Sequence, residues 1–219
     1  KLLLKARDEL RQVVEQGPPV ASELGGYIEF LLQSVQALKQ SESEGGEGAT
    51  DTETQVADFL SEADDRLEEL RRMRSKDDEQ LEALIAAMAA RIQLARDDKS
   101  GAEATIQEFA ERHQDVDGLE LRQRAQRFLI LGQLHGVIEA HAEAEQWYRR
   151  LMEQSPDAYL LVIESLIAQG KRSEAAQLGL EMAGSTPSPA VAKVLARIMT
   201  VTGDEVTLDP EVEKTLSTA

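Results

Sequence analysis

The amino-acid sequence predicts an all-helical protein assembled from repeated helical hairpins. Three observations support this fold class. Alanine and leucine supply most of the apolar content, whereas aromatic residues make up 4% and charged residues 30% of the 219-residue chain, a composition typical of helices. Small and apolar residues recur with the period of an α-helix. Prolines and glycines interrupt this pattern at intervals of about one helix, as a series of packed helices requires.

A short repeat defines how the helices are organised. It consists of an alanine, apolar residues four and seven positions later, and a proline twelve positions later. The first three positions share one helix stripe, the alanine allows a neighbouring helix to approach closely, and the proline ends the unit. Three copies carry the proline: Ala6, Leu10, Val13, Pro18; Ala144, Tyr148, Leu151, Pro156; and Ala175, Gly179, Met182, Pro187. Two copies end in a polar residue: Ala63, Leu67, Leu70, Ser75; and Ala102, Ile106, Phe109, Gln114.

The third copy also admits a second alignment. Gly179 departs from the apolar pattern, and a shift by one residue fits the apolar positions better but loses the proline. The shifted copy is Ala176, Leu180, Ala183, Ser188.

Residues 125–158 resemble the tetratricopeptide repeat, a family of helix-turn-helix units. The residues that carry the resemblance are Phe128, Leu131 and Gly132 on the first helix and Ala144, Tyr148, Leu151 and Pro156 on the second. His135 stands where the family usually has tyrosine, and Leu151 where it usually has alanine. The resemblance implies a right-handed superhelix of antiparallel helical hairpins, and we expect residues 1–219 to form one such domain. An α-solenoid with looser repeats is the structural alternative, since its hairpins also bury their faces by stacking.

Ten helices and a short last one follow from the periodicity and its breaks. Because the chain begins inside a helical pattern and without methionine, we expect it to be a fragment of a longer protein. The predicted helices are 2–16, 20–39, 54–75, 78–97, 101–113, 119–138, 141–154, 157–169, 172–184 and 188–201, with a short one from Pro210. "GK" at 170–171 is predicted to be the turn within a hairpin.

The helical pattern fails in an acidic segment rich in glycine and serine, residues 40–54. It has no apolar residue beyond Ala49, so we expect a flexible insertion between the two helices of one hairpin. Its functional interpretation is a lure for a basic partner; otherwise it is a tolerated surface insertion.

Charge and composition restrict the class of partner. The net charge is −17 and the isoelectric point about 4.6, so the chain would be repelled by the phosphates of nucleic acids and by anionic membranes. The acidic surface fits a basic partner or serves solubility. No cysteine is present, and no apolar run reaches the roughly 18 residues of a membrane span. We therefore predict no membrane contact by this segment and a cytoplasmic location.

The sequence contains no recognisable catalytic or metal-binding constellation. Phosphate-binding loops and the common hydrolase and zinc-protease motifs are absent. His135, Glu139, His141 and Glu145 form the only cluster of histidines and carboxylates, and we interpret His135 as a packing residue. "DVDG" at 115–118 lacks the other ligands of a calcium loop. We predict a protein that is not an enzyme and has no catalytic residue, metal or cofactor.

The resemblance implies that the first helix of each hairpin lines a concave groove. Its groove residues would be Leu84, Ala87, Arg91 and Leu94; Gln126, Leu129 and Gln133; and Leu160, Glu164 and Ile167. An apolar strip with a few polar groups suits a peptide or helix, so the predicted function is that of a protein-binding scaffold or adaptor. Two alternatives stay open: a structural module that homo-oligomerises, and a regulatory segment of a larger enzyme or secretion-system protein. Trp147 is expected to be a packing anchor.

Overall fold

The computed structural model describes residues 2–43, 49–75 and 78–185. Within these ranges the chain forms α-helices, one short 3-10 turn over Pro156–Ala158, and no strand, so the all-α prediction is confirmed. The helices are α1 (Leu2–Glu15), α2 (Ala21–Ser43), α3 (Ala49–Met73), α4 (Glu79–Ala95), α5 (Lys99–His113), α6 (Leu121–Val137), α7 (His141–Met152), α8 (Tyr159–Ala168) and α9 (Arg172–Ser185). The helices predicted at 188–201 and from Pro210 lie outside the described residues.

The predicted boundaries hold to within two residues except around the acidic segment. Helix α2 continues to Ser43 and α3 begins at Ala49, so residues 40–43 and 49–54 are helical and not part of a flexible insertion. Acidic side chains in the first turn stabilise a helix because they face the positive end of its dipole. Asp51 lies in the first turn of α3. Residues 44–48 lie outside the described residues.

The chain divides into two compact units, Lys1–Arg112 and His113–Ala219, and each is described by itself. One continuous superhelix over residues 1–219 stays a prediction.

The core of the first unit lies between α1, α2, α3 and α4. Helices α2 and α3 form its main pair, and α4 packs against both. Five fully buried residues centre this core: Leu24, Ile28 and Leu31 of α2 and Phe59 and Leu70 of α3. Burial of each such side chain contributes about 1.5–3 kcal/mol. Helix α5 is joined to α4 by a 2.9 Å hydrogen bond between the side chains of Gln93 and Thr105 and by an ion pair between Arg112 and Glu82.

The second unit is a succession of neighbouring helices. Helix α6 packs on α7, α7 on α8, and α8 on α9. Gly132 of α6 lies against the ring of Tyr148 in α7: a Cβ atom on this glycine would be 2.3 Å from Cε1 of the tyrosine. The absence of a side chain at Gly132 is therefore what allows these two helices to meet.

The turns between α4 and α5, α6 and α7, and α8 and α9 have the same conformation. Each contains one residue with positive φ: Asp97 (61°), Glu139 (59°) and Gly170 (76°). The next residue donates its N–H to the carbonyl five positions earlier, at 2.9 to 3.0 Å, which is a Schellman helix end. Five positions after each left-handed residue stands a fully buried alanine, namely Ala102, Ala144 and Ala175. This shared turn confirms the hairpin turn predicted at 170–171, and the first alanines of three copies of the repeat lie at the same distance from it. Pro187 and Ser188, which end the two alignments of the copy at Ala175, lie outside the described residues.

The other two copies differ from each other. Ala63, Leu67 and Leu70 are buried as predicted. The first copy is wrong, because Leu10 and Val13 are 37% and 60% exposed. Helix α1 turns its opposite face to the core. That face consists of Leu4, Arg7, Arg11 and Val14. The repeat pattern indicated the wrong face because both faces of α1 carry apolar residues. The inner face also carries two arginines, which pair with the carboxylate of Glu62.

Candidate functional site

The structure places six of the ten predicted groove residues on two helices of the second unit. On α6, Gln126, Leu129 and Gln133 share one face, and Gln126 and Gln133 are exposed. On α8, Leu160, Glu164 and Ile167 share another, with Glu164 exposed. The three apolar members, Leu129, Leu160 and Ile167, are half-buried against one and the same core cluster. Each helix therefore presents a half-buried apolar edge beside exposed polar groups.

The other four, Leu84, Ala87, Arg91 and Leu94, lie on α4 of the first unit, and two of them help to join helices there. Leu84 of α4 packs against Gly25 of α2, where a Cβ atom would lie 3.3 Å from its Cδ1 atom. Arg91 forms an ion pair with Glu29 of α2. Ala87 is half-buried against the core of the first unit. The side chains of Leu84 and Arg91 thus meet α2.

Tyr148 of α7 contacts α6 and interacts electrostatically with Glu164 on α8. Glu164 is the one carboxylate among the predicted groove residues. The ring of Tyr148 covers Gly132 on α6. Burial, and then the negative charge of Glu164 on α8, raise the pKa of Tyr148 to about 12. The hydroxyl is therefore neutral at physiological pH and stays within electrostatic range of Glu164. Trp147, one residue earlier, is half-buried and stacks on Phe128 with ring centroids 6.0 Å apart, so it is a packing anchor as predicted.

The first unit contains a charged cleft that the sequence did not reveal. It lies between α1 and α3 and has a volume of about 680 Å³. Its lining residues are Arg7, Arg11, Glu15, Asp58, Ser61, Glu62, Asp65, Arg66, Glu68, Glu69 and Arg72. In the sequence, the i, i+4 spacing of Arg7 and Arg11 could have indicated this cleft, but nothing there predicts which carboxylates the two arginines contact.

Glu62 is the centre of this cleft. Only 10% of its side chain is exposed, and it accepts hydrogen bonds from Arg11 Nε and the Tyr27 hydroxyl, both at 2.7 Å. Burial alone would raise the pKa of Glu62, but these hydrogen bonds and the charges of Arg11 and Arg7 hold it below its usual value. Burial and the bond to Glu62 raise the pKa of Tyr27 to about 12. The floor of the cleft is thus a network of ion pairs and hydrogen bonds that attaches α1 to α2 and α3.

The histidine and carboxylate cluster has a structural explanation. His135 is buried, as the packing interpretation predicted. Glu145 is also buried, and its carboxylate accepts hydrogen bonds from Arg149, Gln169 and Lys171. Burial would raise the pKa of Glu145, but these three donors lower it. Within residues 2–43, 49–75 and 78–185, no group of three or more histidines and carboxylates is arranged to hold a metal ion.

The segment "DVDG" forms a turn. The backbone N–H of Asp117 donates to the carboxylate of Asp115 at 2.9 Å, and Gly118 has a φ of 81°. One of the carboxylates a cation would need is therefore already engaged by the backbone.

No protein family has a pattern that matches this chain, and no curated protein matches it. In the described part of the chain, no helix has both the length and the apolar character needed to cross a bilayer.

Proposed function

We propose that this chain is a non-enzymatic binding module that takes a protein segment or peptide on the face formed by α6 and α8. The observation that supports it most is the half-burial of Leu129, Leu160 and Ile167 against one cluster. Such apolar edges gain further burial when a partner side chain covers them. The exposed amides beside them, Gln126 and Gln133, offer hydrogen bonds to a peptide backbone.

The partner we propose is a basic peptide or a basic helix. Glu164 is the charged residue among the predicted groove residues of this face, and the whole chain carries a net charge of −17. A positive partner is attracted to such a field, and a phosphate backbone is repelled. The resemblance to tetratricopeptide repeats agrees with this class of function, and the shared hairpin turn supports a repeat architecture.

The experiment is a selection from a displayed random-peptide library followed by titration of the selected peptides. Glu164→Lys should weaken the binding of a basic peptide by about tenfold, which corresponds to about 1.4 kcal/mol. The matched control is Glu174→Lys, the same change at an exposed position of α9. Equal affinities of both variants and the parent chain would remove the α6 and α8 face from consideration. If Glu164→Lys leaves the affinity for apolar peptides unchanged, the weaker binding of basic peptides is due to charge, and the α6 and α8 face is still the binding surface.

A further inference from the structure

Helix α1 exposes an apolar stripe on the side opposite its core-facing residues. Leu2 is 85%, Leu10 37% and Val13 60% exposed, and Ala6 is half-buried. The spacing of these four residues places them within one helix face. Five large apolar residues are exposed in the described part of the chain, and three of them belong to this stripe. Exposed apolar residues scattered singly need no explanation, whereas a contiguous stripe indicates an interaction surface.

The attachment of α1 keeps this stripe outward. Arg7 and Arg11 on the inner face are held by Glu62 of α3, and Glu15 at the end of the helix pairs with Arg66 at 2.7 Å. Rotation of α1 to bury its outer leucines would break these ion pairs and leave the buried Glu62 without its arginine partners. Removing one partner of such a pair is strongly destabilising. The outward stripe is therefore a stable feature of the first unit.

The stripe is complementary to a second copy of itself. In an antiparallel arrangement about a twofold axis close to Arg7 and Asp8, Leu2 of one copy faces Val13 of the other. The small Ala6 then faces the larger Leu10, so that the surfaces interlock.

The charges at the rim agree with the same arrangement. Lys5 and Glu9 are 75% and 68% exposed and lie four residues apart beside the stripe. The antiparallel arrangement places Lys5 of each copy next to Glu9 of the other.

We propose that the outer face of α1 binds the outer face of α1 in a second copy of this chain. The inference is independent of the proposed peptide-binding function. Because one helix face is small and both copies are acidic, the dimer is weak and forms reversibly with concentration.

The test is sedimentation equilibrium of the full 219-residue chain over a range of about 10 μM to 1 mM, which takes a dimer with a Kd of about 0.1 mM from mostly dissociated to mostly associated. The mass should rise from that of one chain, 24.1 kDa, toward twice that value. Leu10→Glu with Val13→Glu should abolish the increase. Leu121→Glu, the same change at a 64% exposed leucine of α6, should leave it unchanged. Circular dichroism of each variant reports whether α1 remains helical.

Charge reversal makes the assignment to α1 specific. Lys5→Glu alone and Glu9→Lys alone should each weaken dimerisation by about tenfold, since like charges then meet at the rim. A mixture of the two variants should dimerise again, because each brings the charge that the other needs. A mass that stays at one chain at all concentrations overturns the proposal. A mixture of the two variants that fails to dimerise also overturns the proposal, and so does loss of the dimer in Leu121→Glu.

Discussion

Gly132 shows how one missing methyl group positions two helices. A Cβ atom there would lie 2.3 Å from Cε1 and 2.6 Å from Cδ1 of Tyr148, closer than carbon atoms can approach. Both atoms belong to a buried ring, which cannot move aside as the end of a flexible chain could. The resemblance to tetratricopeptide repeats pointed to this glycine, and the distance to Tyr148 supplies its physical reason.

We predict that Gly132→Ala destabilises the second unit. Overpacking costs about 1–3 kcal/mol, which exceeds the gain of about 1 kcal/mol in helix propensity from glycine to alanine. Gly136→Ala on the same helix is the control, because nothing lies within 4 Å of its added Cβ atom, and it should raise stability. Urea unfolding followed by circular dichroism measures both. If the two variants shift the urea midpoint in the same direction, the contact with Tyr148 does not determine the effect of alanine at position 132 on stability.

His135 should make stability depend on pH. Burial lowers its pKa against the opposing charge of Glu143, and its Nδ1 atom is buried without a hydrogen-bond partner. The unfolded chain therefore binds a proton near the ordinary histidine pKa of about 6.5 while the folded chain does not. Stability should accordingly fall as the pH drops from about 6.5 through the lower folded pKa.

The measurement is the urea midpoint at about pH 7.5 and about pH 5.5, on either side of the ordinary histidine pKa. The His135→Leu variant should show a smaller loss between the two values, and His141→Gln should behave like the parent chain. Equal losses in all three proteins would mean that His135 does not carry the effect.

Helix α1 is an element whose attachment depends on charge more than on apolar burial. Val14 is its only buried residue, whereas Arg7, Arg11 and Glu15 all pair with residues of α3. Such a helix is expected to open locally before the rest of the first unit unfolds.

We predict that Glu62→Ala releases α1. Hydrogen bonds to charged groups contribute about 1.5–3 kcal/mol, and the lower end applies because Arg11 is 38% exposed and partly screened. Amide hydrogen exchange should accelerate in α1 and much less in α4. Asp65→Ala, at an exposed carboxylate of the same cleft, is the control and should leave exchange unchanged. Uniform acceleration across the unit would instead indicate global destabilisation.

The hairpin turns are elements with different degrees of backbone strain. Glu139 and Gly170 occupy equivalent left-handed positions with φ of 59° and 76°, but only glycine adopts this region without a steric penalty. Glu139→Gly should therefore raise stability by about 1 kcal/mol, and Gly170→Ala should lower it by about the same amount. Thermal unfolding measures both. A loss of stability in Glu139→Gly would mean that contacts of the Glu139 side chain outweigh its backbone strain.

At the scale of the whole molecule, the periodicity of the sequence was sufficient to predict the helices but not to predict which face of α1 packs against the core. The buried alanines at 102, 144 and 175 were predictable because an alanine begins the same helical stripe in each copy, followed in two of the three by a proline twelve positions later. The orientation of α1 was not predictable, since its inner arginines are held by Glu62, fifty-one residues away from Arg11. The charged cleft was missed for the same reason: ion pairs between helices leave no periodic signal in one sequence.

The net charge of −17 predicts the response of the whole molecule to salt. Two effects compete. Screening weakens ion pairs such as Arg96 with Asp64, but exposed pairs contribute at most about 1 kcal/mol each. Screening also relieves repulsion among the excess carboxylates, which acts over the whole surface and extends about 30 Å at 0.01 M salt but only about 8 Å at 0.15 M.

Since 41 acidic residues face only 24 basic ones, relief of repulsion should dominate. We predict that the melting temperature rises between about 0.01 and 0.15 M sodium chloride. Tetramethylammonium chloride should give the same increase, because screening depends on ionic strength and not on the identity of the cation. An increase with sodium alone would indicate a bound cation, and a decrease with both salts would show that the ion pairs outweigh the repulsion.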